Sequence, residues 1–172
     1  IINSPNNPTG QLYAAERIRE LGELLERAGN QFGSTIYLIS DEPYRKIVFD
    51  DHEVPPIMAL VRNSIVVSSF SKDLSLPGER IGYLAVHPEA DDKTSLVDAM
   101  TLATRILGFV NAPAFMQRVV AELQHASVEN EIYLRRRDRF CTILQEAGYR
   151  FVPPKGAFYI FPQTPTDDDV AF

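Results

Sequence analysis

One cysteine, Cys141, stands in 172 residues, so no disulfide can close within the chain and a reducing, cytoplasmic compartment is expected. It lies in FCTILQEAG, a helical pattern where an inert packed thiol is expected rather than a nucleophile. No apolar run approaches the ~20 residues a membrane span needs, and no signal peptide is visible. Basic charge is scarce too: 17 Lys and Arg face 23 Asp and Glu, for a net charge of −6 and a pI near 5.1. Nucleic-acid binders usually present a basic face, so that class of partner is disfavoured. The one dense basic run, RRRDR at 135–139, is interleaved with apolar helix positions and reads as a solvated helix face. There is no internal repeat and no low-complexity tract.

What remains is an ordinary globular composition, 45% hydrophobic and 23% charged, enough for one domain and the start of a second. AAERIRELGELLERAG carries Ile18, Leu21, Leu25 and Ala28 on one helical face, and the helix should end near Gly29 or Gly33. TIYLIS (35–40), SIVVSS (64–69) and IGYLAV (81–86) are short, nearly continuous apolar runs, as expected of strands covered on both faces. Helical patterns return at about 91–107, 113–125 and 128–147, the last ending at Gly148. YRFV and AFYIF then read as two strands around PPKG.

Strands alternating with helices imply an α/β domain with a mostly parallel sheet flanked by helices. The later change of pattern suggests an α+β small domain, giving a division into 1–126 and 127–172. The chain opens on Ile1-Ile2 as though in the last residues of a strand. It stops in TPTDDDVAF, where Thr166 and the aspartates read as the start of a helix. A piece of a longer protein is therefore expected.

In open α/β sheets ligands sit outside the carboxyl ends of the strands. Three such ends carry polar clusters: NSPNNPTG after Ile1-Ile2, DEPY after TIYLIS, and SSFSK after SIVV. If these strands are parallel neighbours, Asn7, Asp41, Tyr44, Ser69 and Lys72 converge on one mouth. Each has a plain structural reading by itself: Asp41 as a cap or Asx turn, Asn7 as a turn residue, Tyr44 as core, Lys72 and Arg80 as solvated loop charges. As a set they suit one chemistry. A lysine in an enclosed site can act as a neutral amine and condense with an aldehyde, the route of pyridoxal phosphate enzymes. An aspartate aimed at a pyridine nitrogen keeps it protonated, and the ring then serves as an electron sink. A phenol and an amide can orient the ring through its 3′-oxygen. Arginine and serine hydroxyls supply the charge-assisted hydrogen bonds a phosphate needs.

NSPNNPTG, SDEPY and SFSKDLSLPGERIGY, in that order and spacing, resemble the class I/II aminotransferases of the aspartate aminotransferase superfamily, fold type I pyridoxal phosphate enzymes. PKGAFYIFP is similar to a small-domain segment of that family, so the resemblance spans essentially the whole chain. It implies a large cofactor domain of the pyridoxal-phosphate-dependent transferase type followed by the start of the small domain. It also implies that Asn7 and Tyr44 contact the cofactor 3′-oxygen and that Asp41 pairs with the pyridine nitrogen. Lys72 would form the Schiff base and act as general base and acid, making Lys72, Asp41 and Tyr44 the catalytic set. Ser69 and Arg80 would bind the phosphate; Ser71 either joins them or caps the strand end.

The implied reaction moves the amino group of an L-amino acid, aspartate by default, to a 2-oxo acid such as 2-oxoglutarate, in a homodimer. SKDLSLPGERIGY also resembles 1-aminocyclopropane-1-carboxylate synthases, which leaves a pyridoxal phosphate lyase open. An aminotransferase-like effector sensor of a transcriptional regulator is open as well. The family's upstream half and the arginine that grips the substrate α-carboxylate are missing, so the 172 residues alone are expected to be inactive. Glu42 and Glu79 are expected to be solvated or paired structural charges. Asp50, Asp51, His52 and Glu53 form a row of candidate ligands, but sequence neighbours on a loop rarely build a metal cage, and none is expected.

Overall fold

The apolar face of the first helical pattern finds its partner immediately. In the computed structural model, which describes residues 1–170, Ile18, Leu38, Ile57 and Val61 form one buried cluster, with Ile2, Leu21, Leu25, Leu60 and Val66 packed around it. Burying a side chain of this size contributes about 1.5–3 kcal/mol, so this contact holds helix α1 (Ala15–Phe32) on the sheet. The helix ends at Gly33, left-handed at φ 65°, whose N–H returns to Gly29 O; a glycine adopts that conformation without a Cβ penalty.

The sheet has four strands in the order β1 (Ile2–Asn3), β2 (Leu38–Asp41), β3 (Ser64–Ser69), β4 (Gly82–Val86). The first three run parallel, with Asn3 opposite Asp41 and Asp41 opposite Val67. The fourth is antiparallel to β3 and sets Ser69 opposite Gly82. Short helices α2 (Ile57–Leu60) and α3 (Phe70–Asp73) flank β3, and a 3₁₀ turn at Pro77–Glu79 leads into β4. Three longer helices follow: α4 (Lys93–Ile106), α5 (Ala114–Glu122) and α6 (Asn130–Glu146). Among the described residues no helix is long and apolar enough to cross a membrane. A mostly parallel, helix-flanked sheet is the architecture expected from the sequence, and the antiparallel β4 refines it.

YRFV and AFYIF are not strands. Lys155 N and Gly156 N both donate to Gly10 O, at 2.8 and 3.0 Å, while Ala157 N donates to Ile47 O at 2.9 Å and Phe49 N to Lys155 O at 2.9 Å. The donors a hairpin would need are thus spent on the loop after β1 and the loop after β2. Pro153 and Pro154 have no N–H to give. The helix start expected at the C-terminal end is, over the described residues, bends and a turn at 169–170; residues 171 and 172 of that expectation lie outside the described residues.

Around this loop a second buried cluster forms from Tyr44, Ile47, Phe49 and Ala157, with Val128, Tyr133, Leu134 and Tyr159 packed against it. It joins the loop after β2 to α6 and to the segment at 157–159. Lys46 reinforces the joint, donating to Gln124 O (3.1 Å) and Ala126 O (2.9 Å) and pairing with the buried Asp73 at 3.5 Å. The basic run 135–139 is not uniformly solvated. Arg137 is 11% exposed, lies 5.1 Å from the Phe49 ring centroid and makes a bidentate pair with Asp50.

Candidate active site

Parallel pairing of β1, β2 and β3 carries their polar ends to the same edge of the sheet, and the antiparallel β4 returns Arg80 to it. Asn3, the last residue of β1, donates its side-chain amide to Asp41 O (3.0 Å) and to the Asp41 carboxylate (3.3 Å). Its Oδ1 accepts the Asn7 N–H at 2.7 Å. Asp41 and Asn7 are therefore tied through one residue that sequence reading passed over. Burial pushes the Asp41 carboxyl above its ordinary value, partly offset by the Asn3 hydrogen bond. Among the described residues no Lys or Arg pairs with Asp41.

Tyr44 sits in the turn that follows. Arg45 pairs with the buried Glu42 at 2.7 Å and donates to Val54 O and Pro55 O, which fixes the turn; Glu42 is a paired structural charge and not a solvated one. The Tyr44 side chain is 4% exposed, and its hydroxyl lies 2.7 Å from the Tyr159 hydroxyl. Burial first, then the Tyr159 hydrogen bond, raise the Tyr44 phenol well above its ordinary value, while the Asn7 side chain opposes the rise and the Asp41 charge adds to it. Asn7, Asp41, Tyr44 and Tyr159 are one electrostatic neighbourhood.

Lys72 lies in α3, one turn beyond the end of β3. Its ammonium is 5.5 Å from the Phe158 ring centroid, and that ring meets Tyr44 edge-on with centroids 5.3 Å apart. No carboxylate among the described residues pairs with Lys72. Ser69 occupies the position before α3 without a side-chain capping bond. Ser71 is inside α3 and is not a strand-end cap. Arg80, left-handed at φ 50°, is exposed and donates to Pro77 O at 2.8 Å. Gly82 is required beside Ser69: a Cβ there would stand 2.4 Å from Ser68 O and 3.0 Å from Ser69 Cα.

Sequence reading missed Asn3, Phe158 and Tyr159. The Pro153–Pro154 pair was the available signal for the last two, because it argues against a hairpin and for a loop laid across the site. Phe158 and Tyr159 also line a cleft of about 380 Å³ with Tyr133, Arg136 and Phe140. A larger cleft, about 710 Å³, lies between α1 and the starts of β2 and β3, at the opposite end of the strands, and is lined by none of the candidate residues. Among the described residues no group of three His, Cys, Asp or Glu is placed to hold a metal ion. In the Asp50–Glu53 row, Asp50 is engaged by Arg137.

Among the described residues, a carboxylate with no paired cation, a lysine with no paired acid and a phenol pair stand at this end of the sheet, with Ser69, Ser71 and Arg80 on the adjoining segment. Groups of these kinds fit a ligand with a positively charged ring nitrogen, an acidic ring hydroxyl and a phosphate. The sequence profile of "Aminotransferase class I and II" matches residues 1–172. A probable aspartate aminotransferase of Methanocaldococcus jannaschii is 35% identical over 167 residues, covering 94% of this chain and 42% of that protein. An aspartate aminotransferase of Thermococcus kodakarensis is 32% identical over 177 residues, covering 97% of this chain and 43% of that protein. The crystal structure of an amino transferase from Eubacterium rectale superposes with a TM-score of 0.95 at 44% identity, over 99% of this chain and 43% of that one. For the Thermotoga maritima aspartate aminotransferase the TM-score is 0.75 at 29% identity, over 96% and 42%. The chain thus spans well under half the length of these relatives, along one continuous part of the fold. It belongs to the aminotransferase class I and II family.

Proposed function

We propose that the full-length protein carrying these residues is a pyridoxal-phosphate-dependent aminotransferase. It would move the amino group of an L-amino acid, aspartate as the first candidate, to a 2-oxo acid such as 2-oxoglutarate. The observation that carries this reading is the half-buried Asp41 carboxylate, which among the described residues accepts only from Asn3, beside Tyr44 and Asn7, with Lys72 reaching the Phe158 ring that packs on Tyr44.

Pyridoxal phosphate, when bound, supplies an aldehyde that a lysine amine captures and a ring that draws electrons from the substrate α-carbon. Lys72 would be that amine and, once the amino group of the substrate has taken its place on the aldehyde carbon, would be free to carry the proton that leaves the α-carbon. Asp41 accepts a hydrogen bond from the protonated ring nitrogen, and its carboxylate, already desolvated, gains a cation. Tyr44 and the Asn7 amide donate to the ring oxygen. Ser69, Ser71 and Arg80 hold the phosphate; to do so Arg80 gives up its bond to Pro77 O, which costs little at an exposed site. Residues 1–126 form part of the cofactor domain and 127–172 begin the small domain, with the Asn130 side chain donating to Lys46 O at 2.8 Å across that division. A cytoplasmic homodimer is part of the same reading.

The test is an absorbance spectrum of the full-length protein with pyridoxal phosphate, before and after borohydride, beside Lys72→Ala. A visible band trapped covalently only when Lys72 is present supports the reading; no lysine-dependent band overturns it. Amino acids added singly, with the 2-oxo acid product assayed, then separate amino transfer from the lyase reaction.

A further inference from the structure

Tyr44 and Tyr159 come from segments that are remote in sequence, yet their hydroxyl oxygens stand 2.7 Å apart and their rings meet edge-on at 88° with centroids 5.6 Å apart. The approach is set by backbone: Ala157 N donates to Ile47 O at 2.9 Å, and Ala157 is fully buried in the cluster that holds Tyr44. A contact held from two sides in this way has a fixed geometry before any ligand arrives.

Each phenol has one proton and can also accept. Within the pair one hydroxyl donates and the other accepts, so one proton is left over. If Tyr44 donated to Tyr159, the buried Tyr44 oxygen could offer a ligand only lone pairs, and an anionic ring oxygen would face another acceptor. If Tyr159 donates, the Tyr44 proton is free for that anion, and the two bonds strengthen each other. Tyr159 is the more exposed of the two and can satisfy its own oxygen with solvent.

We infer that Tyr159 is a positioning residue: its hydroxyl donates to Tyr44, orients the Tyr44 proton toward the ring oxygen of the cofactor, and makes Tyr44 a stronger donor. The inference rests on the pyridoxal phosphate reading above. It extends the binding site to the segment at 157–159, which the sequence pattern would have placed in a separate hairpin. The ionisable groups facing the Tyr44 phenol are Tyr159 and Asp41, with Tyr133 packed on the same cluster.

The experiment uses the full-length protein loaded with pyridoxal phosphate, in four forms: wild type, Tyr159→Phe, Tyr44→Phe and the double variant. Borohydride trapping on Lys72 is read first, and then the pH midpoint of the visible band. A donor to the ring oxygen favours the form in which that oxygen bears its full negative charge, so weakening the donor raises the midpoint. Tyr159→Phe keeps the ring and the packing, and should raise the midpoint by about half a unit to one unit. Tyr44→Phe should raise it further. The double variant should match Tyr44→Phe alone, because Tyr159 acts through Tyr44. An unchanged midpoint in Tyr159→Phe beside a shifted one in Tyr44→Phe overturns the inference and leaves the cofactor reading standing. Additive shifts in the double variant also overturn it. Absence of trapping in the wild type removes the cofactor reading, and this inference with it.

Discussion

The amide of Asn3 bonds the backbone oxygen of Asp41 at 3.0 Å and its carboxylate at 3.3 Å. The ends of two parallel strands are thereby joined by one side chain. Because Asn3 Oδ1 accepts the Asn7 N–H at 2.7 Å, and an N–H can only donate, the orientation of the amide follows from its surroundings. Asn3→Ala removes the bond that keeps the Asp41 carboxyl from rising further and frees the Asn7 loop as well. A hydrogen bond to a charged group is worth about 1.5–3 kcal/mol. The dissociation constant for pyridoxal phosphate in the full-length protein should therefore rise about tenfold or more, measured by fluorescence titration. An unchanged constant would show that Asn3 is only a strand-end tie.

Asp41 itself should cost the ligand-free protein stability. Burial raises its carboxyl in the folded state, so the folded protein binds the proton more tightly than the unfolded chain does. Stability is then greatest below the ordinary carboxylate value and declines as pH rises through the raised one. At neutral pH the full cost is present. Asp41→Asn should melt about 1–3 °C above wild type at pH 7, with the difference vanishing near pH 3, while the cofactor is no longer retained. Equal melting temperatures at pH 7 would mean that the carboxylate is better solvated than its burial implies.

The placement of Lys72, Asp41 and Tyr44 at one end of the sheet was legible because each follows an apolar run that ends in polar residues, and parallel neighbours must bring such ends together. That of Asn3 was not, since its two hydrogen bonds to Asp41 depend on the register that sets the residues opposite each other, and register is invisible in a strand of two residues. The antiparallel β4 had a signal that went unread: the link from β3 holds only the four-residue α3 and a three-residue 3₁₀ turn, and not the crossover helix by which parallel strands usually return. Phe158 and Tyr159 were hidden by their own composition. AFYIF is rich in β-formers, yet the donors at 155–157 are captured by Gly10 and Ile47, and tertiary contacts outweigh propensity there.

Gly82 tests how tightly the mouth is built. Its Cβ position is 2.4 Å from Ser68 O and 3.0 Å from Ser69 Cα, both backbone atoms that cannot swing aside. Gly82→Ala must separate β4 from β3 at the point where Gly82 stands opposite Ser69. The expected cost is about 1–3 kcal/mol, with weaker retention of pyridoxal phosphate in the full-length protein. Thermal melts and a cofactor titration read the two effects together. A melt within a degree of wild type would mean that the strands separate freely.

Arg137 and Asp50 form an ion pair whose two members should matter unequally. The Arg137 hydrogen bond holds the Asp50 carboxyl below its ordinary value. The pair's contribution is therefore present above the ordinary carboxylate range and is lost as pH falls through the lowered value. Asp50 is 51% exposed, so solvent screening limits its share to about 0.5–1 kcal/mol. Arg137 is 11% exposed, covers the Phe49 ring at 5.1 Å and donates to Pro154 O at 3.1 Å, which adds a cation–π term and a neutral hydrogen bond for a total of about 2 kcal/mol. Arg137→Ala should accordingly lower the melting temperature by about 4–8 °C and Asp50→Ala by less than half as much. Below about pH 4 the Asp50→Ala deficit should close as the wild-type carboxyl takes up its proton. The Arg137→Ala deficit should largely persist, because packing on Phe49 does not titrate. Equal deficits at neutral pH, or joint disappearance in acid, would assign the whole effect to the ion pair and none to the ring.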